Sequence, residues 1–273
     1  MCELFGLNSA EKVNCNELLG TFFSHGETNP DGWGLALFDG NSASIEKEPI
    51  SSAESVYLKH RLSDEIVEDV VLAHIRKASK GGLEYKNCHP FKRRDASGRL
   101  WTLIHNGTIF ESARVDAYIG KQHGGTDSER ILYYLIDQVD AAIAKKGGAL
   151  TDKERFETVN QVIRDITPEN KVNLLIYDGD LFYAHTNFYE TLFRLQKGDT
   201  LVVATKPLTD DPAWEKVPMS TPLAYRKGRL VFEAEPHPYE FIDKEPRDIE
   251  YTKPLKKTKV KYEKLLDKHN SIM

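Results

Sequence analysis

Cys2 sits one peptide bond from the start of the chain. Removing Met1 would leave a thiol and a free α-amine on one residue, a nucleophile that carries its own base. An α-amine titrates near ~8, about two units below lysine, so at neutral pH it is partly unprotonated and accepts the thiol proton directly or through one water. A small second residue also lets the initiator methionine be trimmed. Taken alone, Cys2 reads more simply as the first residue of a short apolar strand, Cys2 to Leu7.

Four further groups have types and spacings that suit acyl chemistry. Arg76 closes the apolar run from Val70. A cation at such a strand end either reaches water or clamps a carboxylate through two parallel hydrogen bonds, and Ser79 three residues on could add a hydroxyl. His105-Asn106-Gly107 ends another apolar run. As structure, Asn-Gly predicts a type I′ hairpin turn. As chemistry, the Asn106 amide and the Gly107 N–H are two donors able to converge on an oxyanion. Thr126-Asp127-Ser128-Glu129 reads as a capping box opening a helix, where Asp127 both complements the helix end and could hold an ammonium group. Asn87-Cys88-His89-Pro90-Phe91 reads as a loop anchored by Phe91; the α-amine already fills the role His89 could play as base.

Other chemistries are disfavoured. Gly32-Trp33-Gly34 has Leu37 where a dinucleotide loop needs its third glycine, and it enters a strand instead of leaving one. The sequence has no P-loop, no G-x-S-x-G and no H-E-x-x-H, and Cys15 and Cys88 lack partners at metal-ligand spacing, so neither cofactor nor metal is implied. Three cysteines suit a reducing compartment. A net charge of −5 provides no field for nucleic acid. No apolar run approaches the roughly 18 residues of a membrane span, and no signal peptide is evident, so a cytoplasmic protein without membrane partners is expected. Residues 251–268 hold seven lysines against Glu263 and Asp267. The partition expected is one domain over residues 1–245 and a charged tail over 246–273.

The elements that must position these groups follow from periodicity. Apolar runs predict strands at 2–7, 33–38, 70–76, 101–105, 172–177, 181–184, 191–195, 200–204 and 229–234, with 42–48 as a return strand after Asp39-Gly40. Helices are expected near 11–24 and 52–62. From Asp127, Ile131, Leu132, Leu135, Ile136, Val139 and Ile143 share one helical face, ended by Lys145-Lys146-Gly147-Gly148. Thr151 and Glu154 form a capping box for a helix to about Ile166. Strands, two adjacent helices and more strands predict sheets with helices packed outside.

The order Cys2, His74-Ile75-Arg76, His105-Asn106-Gly107, Thr126-Asp127-Ser128-Glu129 resembles the class II glutamine amidotransferases of the N-terminal-nucleophile hydrolase superfamily. With Asp31-Gly32-Trp33-Gly34 and the Asn-x-His-Pro-Phe loop in a compact chain, it is most similar to the small stand-alone YafJ-like group. The resemblance spans residues 2–235 and implies an α+β, four-layer αββα sandwich. It further implies Cys2 as nucleophile, Asn106 and Gly107 as the oxyanion hole, Arg76 on the glutamine α-carboxylate and Asp127 on the α-ammonium. Ser79 stands where the family usually carries threonine. The activity implied is hydrolysis of a γ-amide through a thioester, without the second, ammonia-using domain of biosynthetic relatives. Three readings stay open: ammonia release from glutamine for a separate synthase partner, cleavage of a larger γ-glutamyl compound, and a non-catalytic module that keeps Met1 and binds γ-glutamyl ligands or scaffolds a partner.

Overall fold

Successive side chains of the central strands enter different cores, and this alternation defines the layers. The computed structural model describes residues 1–243; the lysine-rich segment lies outside the described residues. The elements are β1 (Glu3–Asn14), α1 (Asn16–Ser24), β2 (Trp33–Asp39), β3 (Ser42–Glu48), α2 (Val56–Ser63), β4 (Val67–Ile75), β5 (Phe91–Arg94), β6 (Leu100–Thr108) and α3 (Ala113–Asp116). There follow α4 (Asp127–Lys146), α5 (Asp152–Ile166), β7 (Lys171–Tyr177), β8 (Phe182–His185), β9 (Phe193–Lys197), β10 (Thr200–Ala204), β11 (Glu215–Lys216), β12 (Leu223–Arg226) and β13 (Arg229–Glu233). Among the described residues they form two antiparallel sheets, ordered β11-β9-β10-β1-β4-β2-β3 and β13-β12-β8-β7-β6-β5.

In β4, Val70 and Leu72 join Leu4, Ile104, Leu175, Leu201 and Val203 in a core without helical members, the layer between the sheets. Val71, Ala73 and Ile75 point the other way, with Phe5 and Leu7, against Leu19, Phe22 and Phe23 of α1 and Leu58 of α2. On the second sheet, Trp101, Leu103, Leu174 and Ile176 meet Ile131, Leu135 and Val139 of α4 and Val159 and Ile163 of α5. Three cores between four layers make an αββα sandwich. Each fully buried Leu or Phe contributes about 1.5–3 kcal/mol, so a one-residue register slip in β1 or β7 would move such side chains to the wrong core.

Three local expectations fail. The helix expected from residue 11 begins at Asn16, because β1 resumes pairing with β4 at Val13↔Glu68 and Asn14↔Val67 after an irregularity. The Cys15 N–H then donates to Ile66 O at 2.8 Å. Long-range pairing overrides the local pattern. The second failure is the Asn106-Gly107 turn: β6 runs straight through, with Asn106↔Asn173 and Gly107↔Val172 paired. Glycine is needed there for a close approach, since a Cβ would lie 1.9 Å from Lys171 O. Third, Thr126 Oγ1 accepts the Glu129 N–H at 3.2 Å, but the Glu129 carboxylate turns away to the N–H groups of His123 and Gly124. Only half of that capping box forms, whereas Thr151 and Glu154 form a whole one. Unforeseen elements are β5, β11, β12 and α3.

Candidate active site

The inter-sheet layer ends where β1 and β7 begin and β4 and β6 end. Extending the alternation by one step from Leu4, Leu72, Ile104 and Leu175 puts Cys2, His74, Asn106 and Asn173 on the same inter-sheet side. Apolar filling thus gives way to polar groups at one end of the sandwich. A small cleft opens there, lined by residues that include Cys2, Arg76, Ser79, Gly107 and Asp127. A larger groove between α4 and α5 is lined by residues that include Lys145, Glu154 and Glu157 and by no cysteine.

Cys2 is half-buried, and its Sγ lies 3.3 Å from both the N–H and the carbonyl of Lys77. Burial raises the thiol's pKa, against a smaller lowering by the Lys77 N–H. The resting group is therefore a thiol that needs a base. Three imidazoles stand nearby, yet among the described residues no hydrogen bond joins one to the sulfur. His74 Nε2 donates to His105 O at 3.3 Å. His105 Nε2 donates to Lys171 O at 3.3 Å, so its Nδ1 accepts the Ser128 hydroxyl at 2.9 Å. The His89 ring packs tilted against His74, centroids 4.0 Å apart, with both ring nitrogens buried and without a hydrogen-bond partner. Desolvation lowers all three pKa values, His74 to about 3, which keeps the rings neutral.

Arg76 is buried, contrary to a strand-end cation reaching water. Its guanidinium donates to Lys80 O at 2.9 Å, Gly82 O at 3.0 Å and Gly81 O at 3.1 Å. The loop after β4 thus fixes the orientation of this charge. Asp127, at the first turn of α4, accepts the Ile109 N–H at 2.8 Å and the Ser128 N–H at 3.0 Å, with Lys80 Nζ at 4.0 Å. Ser79 is exposed at the cleft wall.

Asn106 lies in the strand between the cleft residues His105 and Gly107, and its side-chain amide nitrogen is buried without a hydrogen-bond partner. A buried orphan donor costs about 1–3 kcal/mol, and such groups are rare enough to call for an explanation. His89 contacts the next layer through Gly34, where a Cβ would fall 1.9 Å from His89 O. Sequence reasoning assigned no role to Lys77, Lys80, Lys171 or His74. Neither their type nor their spacing reveals them; the loop after β4 brings Lys77 and Lys80 to the cleft, and the β6–β7 register sets Lys171 opposite Thr108. Among the described residues no cluster of three or more His, Cys, Asp or Glu could hold a metal ion. No described helix is long and apolar enough to cross a membrane.

A family model described as class-II glutamine amidotransferases matches residues 1–199. The Escherichia coli protein YafJ is 27% identical over 243 residues, covering 80% of this chain and 94% of YafJ. The γ-glutamyl-hercynylcysteine sulfoxide hydrolase of Mycolicibacterium smegmatis is 26% identical over 202 residues, 71% of this chain and 77% of the hydrolase. The solved structure of a predicted glutamine amidotransferase from Pseudomonas aeruginosa PA01 superposes with a TM-score of 0.57 at 20% identity, covering 85% of this chain and 100% of that one. At that identity the likeness establishes the fold alone.

Proposed function

The chain belongs to the class-II glutamine amidotransferase family, and from that premise we propose that it hydrolyses the γ-amide of glutamine or of a γ-glutamyl compound through a thioester on Cys2. Excision of Met1 frees the Cys2 α-amine as base, beside neutral imidazoles that make no hydrogen bond to the sulfur among the described residues. The amine takes the thiol proton, and the sulfur attacks the γ-carbonyl. The Asn106 amide and the Gly107 N–H receive the developing oxyanion. The C–N bond then breaks, and the leaving nitrogen takes its proton from the α-ammonium. Water adds to the thioester with the same amine as base, releasing glutamate and restoring the thiol. Arg76 pairs with the α-carboxylate and Asp127 with the α-ammonium, while Ser79 supplies a further hydroxyl.

The observation that carries this reading is the buried, unpartnered amide nitrogen of Asn106 on the inter-sheet face that also holds Cys2. Its cost in the resting protein is recovered when an oxyanion arrives. The related hydrolase, named for a γ-glutamyl substrate, supports cleavage of a larger conjugate over ammonia supply to a separate synthase. The test is glutamate release by Met1-free protein from glutamine and γ-glutamyl peptides, with Cys2→Ala in parallel. Release that disappears in the variant is expected; its absence from verified Met1-free protein would leave the non-catalytic binding module standing.

A further inference from the structure

The donors of Arg76 are largely committed within the protein itself. A guanidinium carries five N–H groups. Nη1 donates to Gly82 O at 3.0 Å and Asp31 O at 3.5 Å, and Nη2 to Lys80 O at 2.9 Å and Gly81 O at 3.1 Å. Among the described residues the Nε–H alone has no such acceptor. A carboxylate held by two hydrogen bonds therefore needs its second donor from another residue.

Lys80 is placed to supply it. It stands four residues after Arg76 in the loop whose carbonyls hold the guanidinium, and it lines the same cleft as Cys2 and Asp127. Its ammonium reaches across that cleft: Nζ donates to Ile109 O and lies 4.0 Å from Asp127 Oδ2. The Ile109 N–H donates to the same Oδ2 at 2.8 Å. Asp127 is the group proposed above for the substrate α-ammonium, so the free protein already presents an ammonium of its own at that place. Two cations at one carboxylate repel each other, the more so because the Asp127 side chain is only 5% exposed. Lys80 is free to give way, with a side chain 36% exposed on a long, flexible stem. Lys77, also in the cleft wall, is exposed and meets Cys2 through its backbone.

Resting on the assignment of Arg76 and Asp127 to the amino-acid end of the substrate, we propose that Lys80 is a specificity residue for zwitterionic ligands. Its ammonium holds the Asp127 position in the free protein, the arriving α-ammonium displaces it, and it then pairs with the α-carboxylate beside the Arg76 Nε–H. Binding is an exchange of ion partners that leaves no charge alone. A ligand with both charges completes the exchange. A ligand with the ammonium alone turns Lys80 away from Asp127 and gives it no anion in return.

The test measures Kd for glutamate and for isoglutamine, by nuclear magnetic resonance titration of Met1-free wild type, Lys80→Met and Lys80→Gln. Isoglutamine keeps the α-ammonium and the γ-carboxylate but has an amide in place of the α-carboxylate; at pH ~6.5 both α-amines are protonated. The wild type is expected to bind glutamate about ten- to a hundredfold more tightly, the effect of a charge-assisted hydrogen bond. In Lys80→Met glutamate weakens by about tenfold or more, while isoglutamine tightens by about two- to fivefold because Asp127 no longer has a cation to release. Lys80→Gln, which keeps a donor for Ile109 O without the charge, shows the same opposed changes and decides alone if Lys80→Met does not fold. A lysine that merely supports the loop would weaken both ligands together. Parallel changes, unchanged affinities, a wild type that does not prefer glutamate, or binding of neither ligand overturn the proposal. Glutamine hydrolysis by the same wild-type preparation separates this from the proposed function: hydrolysis without the opposed changes removes Lys80 and leaves the activity, whereas opposed changes without hydrolysis support the Lys80 exchange in a protein that binds and does not cleave.

Discussion

Asn106→Ala separates catalysis from stability in an unusual way. Removing an ordinary buried amide breaks hydrogen bonds and destabilises, but the amide nitrogen here has no partner to lose. Its deletion relieves about 1–3 kcal/mol of unmet hydrogen bonding. Against this stands the space left by the truncated side chain, about 1–2 kcal/mol for a few missing heavy atoms. At mid-range the two cancel to within about 1 kcal/mol, so the denaturation midpoint should move by no more than about 4 °C, using roughly 2–4 °C per kcal/mol for a chain of this size. Turnover behaves otherwise. Loss of one oxyanion donor lowers kcat by about 10²–10³, with KM little changed because the donor acts after substrate binds. The assay is steady-state glutamate release alongside a calorimetric scan of the same preparation. A large drop in the midpoint with retained kcat would show that Asn106 is structural and refute the reasoning.

Gly107→Ala should act through the fold: a Cβ 1.9 Å from a backbone oxygen has no flexible side chain to push aside, and a loss of at least about 1–3 kcal/mol in urea unfolding is expected, an unchanged midpoint being the contrary result. Stability should decline in acid, since unfolding releases His74 from a folded pKa of about 3 to its ordinary 6.5. The unfolded chain then binds the extra proton between those values, so stability is full above 6.5 and falls as pH drops toward 3, by about 2 kcal/mol for this ring at pH ~5. His89, His105 and His185 are shifted the same way, and a flat urea midpoint between pH ~7 and ~5 would count against neutral buried rings. Alkylation of the folded protein should modify Cys2 alone, because burial excludes Cys15 and Cys88 and pushes the Cys15 thiol up to about 11. Intact and peptide mass would reveal an added group at Cys15 or Cys88 if this is wrong.

The elements were legible because strands and helices leave different patterns, and the four layers came from the family resemblance. The continuous apolar runs of β4 and β7 and the 3.6-residue face of α4 are local properties of the chain. Cys2, the buried Arg76 and the helix-opening Asp127 were visible as residue types at strand and helix ends. What stayed hidden depends on pairing between distant segments. Asn106-Gly107 was misread because a tight turn and a tight contact both call for glycine, and the nearness of Lys171 O is a fact of β6–β7 register. The same register sets Lys171 directly opposite Thr108, 63 residues of chain earlier. The short β5, Phe91-Lys92-Arg93-Arg94, buries Phe91 alone and carries no periodic signal. The start of α1 was misplaced because a returning strand pairing competes with helix propensity over Glu11 to Asn14.

The strand that begins next to Cys2 is fourth of seven in its sheet, held by β4 on one side and β10 on the other. The Leu4 N–H donates to Thr205 Oγ1 across 201 residues of sequence, whereas the family match ends at residue 199. A fragment cut at that boundary would keep every residue proposed for chemistry and still lose the partner that converts β1 from an edge into an interior strand. Its bare N–H and C=O groups would then be free to pair with another molecule. The same holds during synthesis: β1 precedes β10 in the chain, so the sheet beside Cys2 is completed only once β10 has been made.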